Sequence, residues 1–171
     1  SEDSPIDLTY LITNAEATRY NNFHAKQPVG WNLSLDDAFE VEYANYLPSK
    51  VGDSYFNKWQ GSGNISDRSM GQTITALPAG KYRVSVTTSA TTIHNGVWLF
   101  ANDKEADMTK LSNNCANIIL DINNGTLDFG VKLKNYQSND CKFDHFTLEF
   151  LGNNNESTGI SEQPTFNLNN E

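Results

Sequence analysis

Three aromatic residues in polar segments are the side chains of this sequence best suited to recognise a ligand. Trp59 precedes a Gly/Ser stretch, Tyr136 lies among Asn, Gln and Asp residues, and Trp31 follows a Pro-Val-Gly segment. A flat ring can stack on the apolar C–H face of a sugar while neighbouring amides and carboxylates bond its hydroxyls. Because loops on rigid scaffolds often carry binding residues, these segments predict a sugar site. The predicted ligand-binding residues are Trp59, Tyr136, Asn139, Asp140, Asn57 and Trp31.

Each of these rings also has a purely structural interpretation. Trp31 can plug one end of the fold beneath a loop, and Trp59 and Tyr136 are each compatible with packing as well as with stacking on a ligand. Trp98 lies between Val97 and Leu99 in an apolar strand, so its ring is predicted to belong to the core.

Motifs for catalysis are missing from the sequence. It contains no Gly-x-Ser-x-Gly elbow, no His-Glu-x-x-His pair and no phosphate-binding glycine loop. A glycosidase needs two carboxylates about 5–10 Å apart, which sequence alone leaves open. The carboxylates in question stand in polar segments, where a raised pKa is not favoured, so the chain is predicted not to be an enzyme. They are Asp36, Asp37, Glu40, Glu42, Glu105 and Asp107.

The composition restricts the classes of partner. The chain has 171 residues and a formal net charge of −9, which argues against nucleic acid because phosphate backbones select clustered Lys and Arg. No apolar run approaches the roughly 18–20 residues needed to cross a bilayer, so membrane insertion is not expected. A neutral, hydroxyl-rich ligand is indifferent to the acidic surface.

Hydrophobic residues alternate with polar ones in several segments. Tyr82, Val84 and Val86 show this spacing, which buries one face of a strand and exposes the other. Pro78 and Gly80 mark one turn, and the Asn124-Gly125 pair predicts a hairpin. About eight strands without crossover helices predict an all-β, antiparallel two-sheet β-sandwich of jelly-roll type. Further predicted strands are Leu8–Thr13, Ala38–Tyr43, Ser69–Thr75, Val97–Ala101, Asn117–Ile122, Leu127–Leu133 and Phe146–Phe150.

The predicted domain covers residues 6–152. Residues 1–5 are an N-terminal extension, and residues 153–171 are a polar linker followed by a C-terminal tail without a clear hydrophobic pattern.

Three segments carry a resemblance to a known family. They are Leu77–Val86, Asn124–Lys132 and Phe143–Phe150. In this order the segments resemble the galactose-binding-like β-sandwich domains, similar to carbohydrate-binding modules, of secreted glycan-processing proteins from gut bacteria of Bacteroides type. The resemblance implies a jelly roll joined to other domains of a larger protein that is secreted, periplasmic or on the outer cell surface. It also implies a role in polysaccharide utilisation.

Some members of the resembled family hold a structural Ca²⁺ where the first and last strands meet. The residues that could match are Asp7 and Asp144, although calcium takes six to eight oxygen ligands. No other cofactor is expected. Cys115 and Cys141 are the only cysteines, and the sequence is compatible equally with a disulfide between them and with two separate thiols.

The sequence therefore predicts a non-catalytic carbohydrate-binding accessory module whose partner is an oligo- or polysaccharide. The alternative is a structural or adhesive spacer, or a protein-interaction domain, without a sugar ligand. A small glycoside hydrolase is a third possibility. A binding module should expose at least one aromatic ring beside polar groups, whereas a spacer should bury every tryptophan.

Overall fold

The computed structural model describes residues 4–18, 26–43 and 54–153. In this part of the chain eleven strands form two antiparallel sheets, and the helical element is a single 3-10 turn, Thr9–Leu11. No helix in the described ranges is long and apolar enough to cross a membrane. The strands are β1 (Ile6–Asp7), β2 (Asn32–Leu33), β3 (Glu40–Tyr43), β4 (Ser54–Trp59), β5 (Arg68–Ile74), β6 (Gly80–Thr87), β7 (Val97–Ala101), β8 (Lys104–Asp107), β9 (Cys115–Ile122), β10 (Leu127–Leu133) and β11 (Asp140–Gly152).

The predicted all-β sandwich is confirmed. Within the described residues, the six-stranded sheet has the order β3-β4-β11-β6-β9, with β1 also paired to β11, and the five-stranded sheet has the order β2-β5-β10-β7-β8. Alternating side chains from both sheets meet between them, as in β6, where Tyr82, Val84 and Val86 are buried. Each sheet therefore has an inner face that forms the core and an outer face.

Trp31 packs between the two sheets. Its ring centroid lies 5.6 Å from those of Phe56 and Phe129 and 4.5 Å from that of Phe146. The indole N–H donates a hydrogen bond to the carbonyl oxygen of Asn14 at 3.0 Å. The ring thus joins both sheets, since Phe56 and Phe146 belong to one and Phe129 to the other.

Several local predictions need correction. Leu8–Thr13 is not a strand, because β1 ends at Asp7 and the 3-10 turn follows. Lys104–Asp107 forms a strand that is absent from the predicted set. The turn at Asn124-Gly125 exists, with Gly125 at φ +77°, but it joins β9 of one sheet to β10 of the other. It is a corner between the sheets and not a hairpin.

The two cysteines are both free thiols. Strand β6 separates β9, which carries Cys115, from β11, which carries Cys141. With strands about 4.8 Å apart, the two Cα atoms lie beyond the ~7 Å limit for a disulfide. The disulfide alternative is therefore excluded in this structure.

Candidate functional site

Trp59 closes strand β4 and lies on the outer face of the six-stranded sheet. Phe56 of the same strand contacts the core rings, so alternation directs the side chain three residues later outward. Trp59 is 61% exposed, the largest value among the big hydrophobic side chains of the described residues. The sequence predicted a loop at this point, whereas the structure places the ring on a strand end.

The polar neighbours of Trp59 come from the adjacent strand β11. Asp140 is its register partner and Lys142 is that of Asn57, so these side chains share the outer face. The Lys142 ammonium group forms an ion pair with Oδ2 of Asp140. Oδ1 of Asp140 is buried and has no hydrogen-bond partner among the described residues. An unpaired acceptor therefore lies near an exposed indole, while Asn57, 8% exposed, lies deeper in the same row.

Two loops next to Trp59 are joined by hydrogen bonds. The backbone N–H of Gln60 donates to the carbonyl oxygen of Asn139 at 3.0 Å, and the Asn139 amide donates to the Gln60 carbonyl at 2.9 Å. The Gln60 amide also donates to the carbonyl oxygens of Ser62 and Gly63, each at 3.0 Å. Asn139 therefore holds the loops together, and its amide N–H is already engaged within the protein.

Tyr136 does not provide an exposed ring. It is 1% exposed, and its hydroxyl donates a hydrogen bond to the carbonyl oxygen of Asp140 at 2.6 Å. Burial raises the pKa of this hydroxyl. The prediction that Tyr136 stacks on a sugar is wrong in this respect, because its ring fills the end of the sandwich beneath the start of β11. Its contribution is to support the backbone of Asp140.

Trp31 is also unavailable to a ligand. It is 7% exposed and surrounded by aromatic side chains of both sheets. Of the two interpretations left open by the sequence, the packed one describes Trp31. The structure therefore brings together only part of the predicted sugar site. Trp59, Asp140 and Asn57 share one face of the sheet, and Asn139 holds the adjoining loop. The rings of Tyr136 and Trp31 are buried inside the sandwich.

The two predicted calcium ligands are not brought together. Asp7 is the register partner of Glu149, whereas Asp144 is that of Thr87. Five residues of strand span about 16 Å at ~3.3 Å per residue. Oδ1 of Asp7 accepts the N–H of Thr9, which lowers the pKa of Asp7, and Oδ1 of Asp144 accepts the N–H of His145. In the described ranges no three His, Cys, Asp or Glu side chains cluster as metal ligands.

Two of the carboxylates considered for glycoside hydrolysis form ion pairs, and they lie on different sheets. Glu42 pairs with Lys26 at 2.8 Å, and Glu105 pairs with Lys132 on the other sheet. The hydrogen bond from Lys132 lowers the pKa of Glu105. A general acid in a glycosidase requires a raised pKa, so Glu105 lacks the character of that group.

A second surface, missed by the sequence analysis, lies on the outer face of the five-stranded sheet. Val97, Leu99 and Ala101 of β7 face the core, which directs Trp98 and Phe100 outward. The prediction that Trp98 is a core residue is therefore wrong; it is half-buried on the outer face. A stricter use of alternation along β7 could have found it, but five consecutive apolar residues hide the period of two.

No family model and no curated protein sequence matches the chain. Among solved structures, it is similar to the Stig cyclase Fisc from Fischerella sp. TAU in complex with an indole compound. The identity is 16%, the match covers 85% of this chain and 98% of that chain, and the TM-score is 0.56.

Two further solved structures match less closely. A family 35 carbohydrate-binding module from Clostridium thermocellum is 13% identical, with 86% and 98% of the two chains covered and a TM-score of 0.49. The K1 cleaved adhesin domain of Lys-gingipain from Porphyromonas gingivalis W83 is 14% identical, with 78% and 96% covered and a TM-score of 0.48. At these identities the likeness extends to the fold alone.

The cyclase neighbours contradict the prediction that the chain is not an enzyme. That prediction rested on a β-sandwich without a catalytic motif. Several cyclase structures from Fischerella share the fold, at 13–16% identity. The same β-sandwich fold can therefore contain an active site. The lack of known catalytic motifs in the sequence does not decide whether this chain is an enzyme.

Proposed function

We propose that this chain binds carbohydrate through Trp59 on the outer face of the six-stranded sheet. The observation that carries the proposal is a tryptophan that is 61% exposed at a strand end, beside the carboxylate of Asp140. An indole in water gains by covering its apolar face, and the C–H face of a sugar ring is a matching surface. A structural spacer would have buried every tryptophan, so this exposure favours binding.

Each neighbouring group has a distinct part in the proposed site. Trp59 stacks on the sugar ring. The unpaired Oδ1 of Asp140 accepts a hydrogen bond from a sugar hydroxyl once a small movement of the side chain brings the two groups together. Lys142, whose side chain is only 9% exposed, holds the carboxylate of Asp140 through its ion pair. Asn139 and Tyr136 act as positioning residues, because they fix the backbone on which Asp140 stands.

The proposed ligand is a neutral sugar at an extracellular or periplasmic surface, with this chain attached to other domains of a larger protein. One ring buries little area, so the affinity for a single site should lie in the millimolar to micromolar range, about −4 to −8 kcal/mol. The formal charge of −9 disfavours acidic glycans.

A glycan array with the purified chain tests this proposal. The array is run with and without EDTA, which also tests for a calcium requirement. Trp59→Ala should weaken binding of the array hits about tenfold or more, because the stacking surface is lost. Ile119→Ala is a matched control, since that side chain is apolar, 41% exposed and on the outer face of the same sheet.

Asp140→Asn provides a second test, because it keeps the shape of the side chain but removes its charge and replaces one acceptor oxygen by a donor. Weaker binding with unchanged stability supports the proposed contact. Hits bound equally well by the parent chain and by Trp59→Ala would contradict the site, and an array without hits would contradict the proposed function.

A further inference from the structure

A shallow groove of about 280 Å³ runs over the outer face of the five-stranded sheet, on the opposite side of the sandwich from Trp59. Its floor lies where β5 and β10 pair and its sides are formed by β2 and β7. The outward side chains that line it combine an aromatic ring with hydroxyl, amide and carboxylate groups. They are Asn32, Ser34, Ser69, Thr73, Phe100 and Asp128.

Two glycines create the floor of this groove. Gly71 and Gly130 are register partners in the two central strands, so no side chain stands on the sheet there. A Cβ added to Gly130 would lie 1.9 Å from the carbonyl oxygen of Met70, and one on Gly71 would lie 3.0 Å from that of Phe129. The close approach of the two strands therefore depends on glycine.

Phe100 lies along the sheet across these glycines. It belongs to β7, and its ring atom Cζ comes within 3.1 Å of a Cβ built on Gly71 of β5, although β10 stands between the two strands. Neighbouring strands are about 4.8 Å apart, so a phenylalanine reaches that far only by leaning over the sheet. The ring thus becomes part of the groove wall and floor instead of pointing into solvent.

Polar groups flank the ring. The Thr73 hydroxyl donates to Oδ1 of Asp128, and Oγ of Ser34 accepts the backbone N–H of Ser69 at 2.8 Å. Asn32 is exposed beside Gly71. Amide, hydroxyl and carboxylate groups on both sides of the Phe100 ring can therefore form hydrogen bonds with a ligand. An apolar ring flanked by polar groups is the combination that recognises a sugar, through its C–H face and its hydroxyls.

We propose that this groove is a second, independent binding site and that its occupant is an internal segment of a neutral, linear polysaccharide. A shallow, open groove accepts a chain without needing its end, unlike a deep pocket. The acidic chain and the carboxylate of Asp128 disfavour a polyuronate, because like charges repel. The inference stands on the groove and does not require the Trp59 site.

Affinity electrophoresis of the purified chain tests the groove. The probes are mixed-linkage β-glucan, arabinoxylan, galactomannan and amylose, with polygalacturonate as the anionic probe. Phe100→Ala and Asn32→Ala should each weaken retardation by a neutral polysaccharide, about tenfold or more for the aromatic residue. Asn32→Ala guards against misfolding, because that side chain is exposed, and circular dichroism checks both variants. Trp59→Ala should leave retardation by polysaccharide in place.

The outcomes separate the two sites. Retardation that is lost in the two groove variants but kept in Trp59→Ala supports the groove. Retardation that is kept in both groove variants but lost in Trp59→Ala overturns the groove and leaves the proposed function standing. Stronger retardation by polygalacturonate than by every neutral probe, or none by any neutral probe, also overturns this inference, whatever the glycan array shows for short oligosaccharides.

Discussion

Substituting Trp31 by alanine should destabilise the protein strongly, whereas substituting Trp59 by alanine should hardly change its stability. Trp31 is 7% exposed, packs against three phenylalanine rings and donates a hydrogen bond from its indole. Removing a buried aromatic side chain costs about 3–5 kcal/mol, because apolar contact is lost and a cavity remains. Trp59 is 61% exposed, and a surface substitution of this kind changes the free energy of unfolding by no more than about 0.5 kcal/mol.

These free energies translate into distinct melting temperatures. A domain of about this size loses roughly 2–4 °C per kcal/mol, so Trp31→Ala should melt about 6–20 °C lower and Trp59→Ala within about 2 °C of the parent. Total stability of a domain is about 5–15 kcal/mol, so Trp31→Ala could leave little folded protein. Trp31→Phe, which keeps an aromatic ring, provides a milder second variant with a smaller loss in the same direction.

Urea unfolding followed by far-ultraviolet circular dichroism is the suitable assay, since removing a tryptophan alters the fluorescence signal itself. An unchanged m-value would show that each shift reflects stability and not a different unfolded state. Equal losses for Trp31→Ala and Trp59→Ala would refute the reasoning, because Trp59 would then contribute to packing and would not be available to a ligand.

Two further predictions concern the thiols and the glycines. With a thiol reagent at pH 8, Cys115 should react in the folded protein, whereas Cys141 should react only after unfolding. Burial raises the pKa of Cys141 to about 12, and equally rapid labelling of both thiols would contradict this burial. Gly130→Ala should destabilise strongly, since its Cβ would meet backbone at 1.9 Å, while Gly61→Ala, with nothing within 4 Å, should be neutral or stabilise by up to ~1 kcal/mol. Thermal melts of both variants check this contrast, and equal melting temperatures would contradict it.

Alternation along the chain was sufficient to predict the strands that expose one face. Strand β6 was predicted correctly from the spacing of Tyr82, Val84 and Val86, because one face of that strand is buried and the other is partly exposed to solvent. Strand β4 escaped prediction for the converse reason: Ser54, Tyr55, Phe56 and Asn57 are all buried, so no period of two appears. Burial on both faces depends on the tertiary structure, which local sequence does not record.

Turn chemistry predicted where the chain reverses but not which strands the turn joins. Asn124 and Gly125 form the expected turn, with the left-handed backbone that glycine permits. The strands on either side nevertheless belong to different sheets. A tight turn fixes only the local change of direction, while sheet membership depends on contacts with distant strands such as β6 and β5.

The same limit explains why Tyr136 and Trp59 were predicted alike and proved to be different. Both rings stand near one end of the sandwich among amides and carboxylates. Tyr136 lies on a connection that passes from one sheet to the other, where the gap of about 10 Å between sheets must be filled. Trp59 lies on a strand whose core-facing residue is Phe56, so the period of two directs it outward. At the end of this sandwich, the alternation of side chains along a strand exposes Trp59, whereas Tyr136 is buried because its segment crosses from one sheet to the other. Neighbouring polarity alone cannot distinguish the two cases.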